Sequence, residues 1–301
     1  MMELKKHLNL NHIIQTYKNN MKLLAFSGGS TKISSFAARG KKILESGYTP
    51  DIVAGLSSGA LIIVPLLLGK HDMLKERTTN LKLSDIFDKN PVNEKGKITL
   101  QGYARGLTKG SFGSMKNLEL TIKEFVTKDE FYNIVAKKGF PLCYAGITNV
   151  TNNEFELKLL NNLSYEMFVR TLIASATIPL YCPPIKIGKS YYYDGGLIHH
   201  NPAIEVLRKY PTTIKEVISV YSRPQDVKEY DPGFNGKSLG RNLSKTLDIL
   251  QLSISKQDEL SEKEFCEARN IKLKQYFSPK IMKGLYDVDP ERLSKLYDSI
   301  Q

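Results

Sequence analysis

The stretch that decides the fold reads Pro50-Asp51-Ile52-Val53-Ala54-Gly55-Leu56-Ser57-Ser58-Gly59-Ala60-Leu61-Ile62-Ile63-Val64-Pro65-Leu66-Leu67-Leu68-Gly69-Lys70. It carries Gly-x-Ser-x-Gly at Gly55, Ser57 and Gly59. Ile52, Val53 and Ala54 read as a short buried strand, and the long apolar run behind the motif reads as a helix. A serine on a sharp strand-to-helix turn is the setting of a nucleophile elbow. Side chains at Gly55 and Gly59 would collide with such a turn. The helix that follows directs its free N–H groups and positive dipole end toward Ser57.

Upstream, Met21-Lys22-Leu23-Leu24-Ala25-Phe26 reads as a buried first strand. It runs into Ser27-Gly28-Gly29-Ser30-Thr31-Lys32 and then a helix over about residues 32–47. A strand entering Gly-Gly ahead of a helix exposes backbone N–H groups as an anion cradle. Such a cradle suits either a ligand phosphate or the oxyanion of an acyl-transfer transition state. The loop begins like the pyrophosphate loop of ATP pyrophosphatases, but Thr31 and Lys32 stand where that loop has Asp and Ser. The Walker spacing is absent as well.

Downstream, residues 70–139 are polar, charged and helical in pattern, with a loop expected over residues 90–106. This insertion suits either a cap over the site or a peripheral helical layer. Residues 141–147 read as another buried strand, and residues 154–160 as a partner across the turn at Thr151-Asn152-Asn153. Residues 164–175 have helical spacing and lead into a rigid loop with Pro179, Pro183 and Pro184. Short strands are expected at residues 185–187 and 190–193, the second ending in Asp194-Gly195-Gly196. Pro202 opens a helix, and residues 214–221 form one more strand. Beyond Ser222 the pattern is helical: residues 239–265 form one long amphipathic helix or two, and Asp289-Pro290-Glu291 caps a last one. Alternating strands and helices indicate an α/β fold around a largely parallel sheet.

The chain has 301 residues, a net charge of +12 and a pI near 9.3. Such charge attracts polyanions, an anionic membrane surface among them, or is simply a solvated basic surface. No specific nucleic acid is expected. The three cysteines are scattered, with no Cys-x-x-Cys or Cys/His cluster, so a reducing compartment is the simple inference. Residues 1–20 lack a signal-peptide core and read as an accessory helix, and the longest apolar run is too short to span a bilayer. The expected location is cytoplasmic, peripheral on membranes.

Gly-x-Ser-x-Gly ordinarily implies a histidine base and an acid later in the chain. Of His7, His12, His71, His199 and His200, only the last two have supporting context, just behind Asp194. Asp194 is itself an unusual acid, at the mouth of a strand and followed by two glycines. A carboxylate opposed to a serine can act as base without histidine.

The combination resembles the patatin-like phospholipase family. That family has a Gly-Gly-Gly-x-Arg/Lys-Gly loop after its first strand, a Gly-x-Ser-x-Gly elbow and a later Asp-Gly-Gly/Ala, and all three occur here in that order. The Ala-Ser and Pro-Pro loop from Ala174 to Pro184, and Asn201-Pro202, are similar too. The resemblance spans roughly residues 21–210. It implies a three-layer α/β fold: residues 1–20 as an extension and residues 21–301 as a single domain, with a catalytic core over 21–210 and a helical part over 222–301. It implies Ser57 as nucleophile, Asp194 as proton acceptor, and an oxyanion hole at Gly28, Gly29, Ser30 and Lys32. Gly55 and Gly59 belong to the elbow motif, and Gly195 and Gly196 to the Asp-Gly-Gly motif.

Ser30 and Ile33 stand where the family has glycines, and Ser30 suits its place if its φ is negative. His200 replaces the family's usual Asn, and His199 and His200 are read as structural or rim residues.

The implied reaction is hydrolysis of fatty acyl esters of phospholipid or a related lipid, through an acyl-enzyme and with no cofactor or metal. The alternatives are a catalytically weak module of the same fold that binds membrane or protein, and a nucleotide-binding enzyme using Ser27-Gly28-Gly29. Residues 272–283 interleave Lys272, Lys274, Lys280 and Lys283 with Leu273, Tyr276, Phe277, Ile281 and Met282. They read either as a membrane-facing patch, with the aromatics at headgroup level, or as a packed strand and turn.

Overall fold

A computed structural model describes residues 20–93, 97–226, 236–237, 239–282 and 284–300, with backbone alone at 239–241, 243 and 244. The expected N-terminal helix, His7, His12 and Lys283 lie outside the described residues.

Eight strands form one sheet: β1 (Met21–Phe26), β2 (Ile52–Leu56), β3 (Leu142–Asn149), β4 (Glu154–Leu159), β5 (Ile185–Ile187), β6 (Ser190–Asp194), β7 (Ile214–Tyr221) and β8 (Lys272–Phe277). The order is β5-β6-β3-β2-β1-β7-β8, with β4 paired to β3. β3, β2, β1, β7 and β8 run parallel, while β4, β5 and β6 are antiparallel additions.

Both faces are covered, which explains the near-continuous apolar runs of the central strands. Side chains alternate between faces along a strand. Leu24 and Phe26 of β1 enter one core with Val53 and Ala145, while Leu23 and Ala25 enter the other with Ile52 and Tyr144. Over the first face lie helices Ile33–Glu45, Ser58–Leu67, Lys116–Phe125 and Tyr165–Ser175. Over the second lie helix Ala203–Lys209 and the end of the long helix Leu239–Ala268. This is a three-layer α/β architecture with a mostly parallel sheet. No helix among the described residues is long and apolar enough to cross a membrane.

Two expectations need correction, and one open alternative is narrowed. The loop read over residues 90–106 is in its second half a helix, Leu100–Lys109. Thr99 Oγ1 caps it by accepting the Gly102 N–H at 2.9 Å, and Gly110 ends it at φ +71°. Gly102 and Gly106 weaken its helical signal, since each glycine costs about 1 kcal/mol against Ala in a helix. They are there for packing: a Cβ on Gly102 would lie 3.0 Å from the Pro91 carbonyl oxygen, and one on Gly106 2.8 Å from the Phe112 ring.

The C-terminal part is not wholly helical either, because β8 extends the sheet beside β7. Its alternating Lys272, Leu273, Lys274 pattern is that of an edge strand.

Of the two readings of residues 272–283, the packing is that of the strand and turn, with the aromatics held by the protein. Tyr276 packs against the first core beneath Arg39, 4.3 Å from its ring centre, and Phe277 stacks on Tyr221 at 5.3 Å. Lys272 pairs with Glu216 at 3.2 Å. Met282 is buried with Leu293 and Leu296.

Candidate active site

Ligand sites of open parallel sheets lie beyond the carboxyl ends of the strands. Here β1 ends at Phe26 ahead of Gly28 and Gly29, β2 ends at Leu56 ahead of Ser57, and β7 ends at Tyr221 ahead of Ser222. Phe26 pairs with both Gly55 and Val220, so these three ends are level.

β3 sets the spacing of the two candidate catalytic residues. Leu56 pairs with Gly146, and Asp194 of β6 pairs with Ile147, the next residue of the same strand. Where β2 stops, β6 takes its place, and the serine that follows Leu56 meets the aspartate.

The elbow has the strained backbone of its type. Ser57 adopts φ +51°, ψ −128°, a region that costs a non-glycine residue on the order of 1–3 kcal/mol. The motif glycines let three backbones converge. A Cβ on Gly55 would lie 2.5 Å from Gly59 C, and one on Gly59 2.5 Å from the Ser27 carbonyl oxygen. The Ser57 N–H donates to Ser175 Oγ at 3.0 Å, and that hydroxyl donates to the Gly146 carbonyl at 2.8 Å. Ser175 therefore ties the elbow to β3. The sequence marked Ser175 only as part of a loop motif.

Asp194 is buried. Burial pushes its carboxyl up to about 6, against the opposing pull of the Gly196 N–H, which donates to Oδ1 at 2.7 Å, and of a hydrogen bond with the Ser57 side chain. Its own N–H donates to the Thr177 carbonyl at 2.9 Å, and Thr148 Oγ1 donates to its carbonyl at 2.9 Å.

The Gly-Gly loop differs from expectation. The Gly28 N–H donates to the His200 carbonyl at 2.8 Å and is spent. Ser222 Oγ and Ser27 Oγ donate to the Gly28 carbonyl at 2.6 and 2.9 Å. In a trans peptide the N–H points opposite the carbonyl, so the Gly29 N–H is turned the other way. Among the described hydrogen bonds the N–H groups of Gly29, Ser30 and Ser58 have no partner. The Lys32 N–H donates to the Gly29 carbonyl at 3.0 Å, so it braces the loop and is not a free donor. Ser30 has φ +48°, not the negative value expected, and its hydroxyl donates to the Leu285 carbonyl, as Thr31 Oγ1 does at 3.2 Å. Those bonds hold a left-handed residue where the family pattern has glycine. Ile33 is buried, and its side chain joins the core and the cavity wall.

His199 and His200 face Asp258 of the long helix. His199 Nδ1 lies 2.8 Å from Asp258 Oδ1, and Oδ2 accepts the N–H groups of His200 at 2.5 Å and Asn201 at 3.0 Å. Burial pushes the His200 imidazole down to about 4, with the Asp258 charge opposing and the Lys32 and Arg223 charges adding to the fall. It is neutral at physiological pH. Ser255, Asp258, Glu259 and Glu262 form one polar stripe along the long helix. Arg223 bonds Ser255 Oγ at 2.8 Å and also Glu259, and Glu262 takes the Tyr221 hydroxyl at 2.9 Å. Acidic residues at four-residue spacing on an otherwise amphipathic helix were the only sequence signal for this anchor.

A cavity of about 320 Å³ opens beside Ser57, at the low end of the ~300–1,000 Å³ typical of small-molecule sites. Ser30, Ser57 and Ser58 supply its polar end. Leu81, Ile86, Phe87, Met115, Leu118 and Phe125 supply most of the apolar wall. These six belong to the 70–139 insertion, so that segment walls the site and is more than a peripheral layer. Leu120 lines the cavity while 67% exposed, which marks where it meets solvent. Among the described residues no cluster of three or more His, Cys, Asp or Glu is arranged to hold a metal ion.

The patatin-like phospholipase family profile matches residues 24–207. The crystal structure of VipD from Legionella pneumophila is similar at a TM-score of 0.45 and 14% identity, over 93% of this chain and 67% of that one. Comparison with curated protein sequences gives no match.

Proposed function

The chain belongs to the patatin-like phospholipase family, and from that premise we propose that it hydrolyses fatty acyl esters of phospholipids or related lipids through a Ser57–Asp194 dyad. The observation that carries this reading is the placement of Ser57 and buried Asp194 side by side against β3, where Leu56 pairs with Gly146 and Asp194 with Ile147, next to an apolar cavity.

Ser57 Oγ attacks the ester carbonyl carbon as its proton passes to Asp194. The carbonyl π electrons move onto oxygen, and the N–H groups of Gly29, Ser30 and Ser58 receive that oxyanion. Collapse of the tetrahedral intermediate breaks the ester C–O bond, and the proton on Asp194 goes to the leaving alkoxide. Water then adds to the acyl-enzyme with its proton taken by Asp194. The acid departs as Ser57 Oγ recovers that proton. A carboxylate raised to about 6 is a stronger base than a solvated one and is still mostly ionised at neutral pH. The apolar cavity receives the acyl chain.

The test is hydrolysis of a lipid panel followed by mass spectrometry, with wild type set against Ser57→Ala, together with fluorophosphonate labelling of the pure protein. Fatty acid release and labelling that both vanish in Ser57→Ala support the reading. Equal release by the variant overturns it.

A further inference from the structure

Helix Leu100–Lys109 has two sides that are treated very differently by the fold. Its glycines press against Pro91 and Phe112, while Leu100 is 86% exposed and Leu107 91% exposed. With Ala104, also exposed, these residues stand at i, i+4 and i+7, one stripe of a helix surface. Capped at Thr99 and ended at Gly110, the helix keeps this stripe formed with Leu100 and Leu107 uncovered by any described residue.

The helix is linked to the candidate active site by a chain of rings that starts at Tyr103. Tyr103 meets Phe112 at 6.0 Å, Phe112 meets Tyr181 at 6.2 Å, Tyr181 meets Tyr286 at 5.0 Å, and Tyr286 lines the cavity beside Ser57. Leu180, next to Tyr181, is 44% exposed. Charge identifies the occupant. Between Lys95 and Leu118 the chain has five basic residues (Lys95, Lys97, Arg105, Lys109 and Lys116) and no Asp or Glu. A symmetric contact with a second copy would set like charges together. An apolar stripe on a basic stretch of chain suits a bilayer surface that carries anionic headgroups.

We infer that helix Leu100–Lys109 is the surface by which this protein docks on anionic bilayers, with Leu100 and Leu107 inserted among the acyl chains. This rests on the lipid-hydrolase reading for its purpose, but its test does not depend on turnover. The docking surface is thereby assigned to the cap and not to β8.

The experiment is co-sedimentation of the full chain with phosphatidylcholine vesicles, with and without phosphatidylglycerol, at low and high salt. The variants are Leu100→Ser/Leu107→Ser and, as a comparison, Lys272→Gln/Lys274→Gln. Turnover of a short-chain soluble nitrophenyl ester is measured alongside. The expected result is wild-type binding that grows with phosphatidylglycerol and fades with salt. The leucine variant should lose about ten-fold or more in partitioning while keeping ester turnover and circular dichroism. The β8 variant should bind nearly as wild type does.

Binding unchanged in the leucine variant, or indifferent to phosphatidylglycerol, overturns the proposal. So does a concentration-dependent dimer that the leucine substitutions abolish, which would make a second copy the occupant. Ester turnover that survives Ser57→Ala would overturn the dyad and leave the docking result standing.

Discussion

The Gly28 N–H donates to the backbone carbonyl of His200 at 2.8 Å. This one bond joins the Gly-Gly loop to the turn after Asp194, and it removes Gly28 from the possible oxyanion donors. It also shows how His200 matters. Its carbonyl is engaged, while its imidazole is neutral and buried.

The dyad and a histidine-based triad are separated by substitution. Ser57→Ala and Asp194→Asn should each abolish ester hydrolysis with the fold intact, and the double variant should be little worse than either, because residues acting as a unit lose non-additively. His199→Ala and His200→Asn should keep turnover within about ten-fold of wild type, since the triad-type general-base contribution of about 10²–10⁴ is absent. Steady-state kinetics on a soluble ester reads all five variants. Loss in a histidine variant with retention in Asp194→Asn reverses the assignment.

The oxyanion loop makes a second prediction. A Cβ on Gly29 would lie 2.8 Å from Ser222 Cβ and 2.9 Å from the Phe36 ring, so Gly29→Ala must shift the peptide whose N–H is free. The expected loss in kcat is about 10²–10³, that of one oxyanion donor. Ser30→Gly keeps its N–H and takes φ +48° without the bond to Leu285, so its kcat should fall far less. Equal losses in the two variants would contradict the donor assignment.

Asp194 couples activity to stability through pH. With its carboxyl raised to about 6, kcat/KM for a soluble ester should rise with pH up to about 6 and level above it, because the base must be ionised. The folded value exceeds that of the unfolded chain. The associated stability is therefore present below about pH 4 and lost as pH rises through about 6, on the order of 3 kcal/mol in all. Asp194→Asn should melt higher than wild type at pH 8 and nearly equally at pH 4, where both side chains are neutral. Thermal melts at the two pH values check this, and a lower melting point for the variant at pH 8 contradicts it.

Ile33 was a departure from the family's glycine, yet its side chain is 5% exposed and packs in the core. Ile33→Gly should destabilise by about 2–5 kcal/mol, as large-to-small core changes do, and should not raise kcat. Denaturant unfolding and ester turnover measure both. A faster variant would mean that the side chain obstructs the cavity.

The sequence by itself marked the first seven strands, the elbow and the two candidate catalytic residues. Each rests on local physics. Apolar runs mark strands buried on both faces, glycines at Gly55 and Gly59 mark a turn without room for Cβ atoms, and an acid before two glycines marks a strand mouth. Tertiary structure alone decided which backbone donors are free, because the partner of Gly28 is His200, far along the chain. It alone allowed φ +48° at Ser30, through the Leu285 carbonyl, and it alone gave Asp258 its place under His199 and His200. It made a helix of Leu100–Lys109 against the propensity of its glycines, since packing on Phe112 outweighs that local cost. It turned the aromatics of β8 inward, because β7 offered an open edge and its row of backbone groups required a partner strand. Contacts between residues far apart in the chain leave no periodicity in it, and those are the contacts that complete this site.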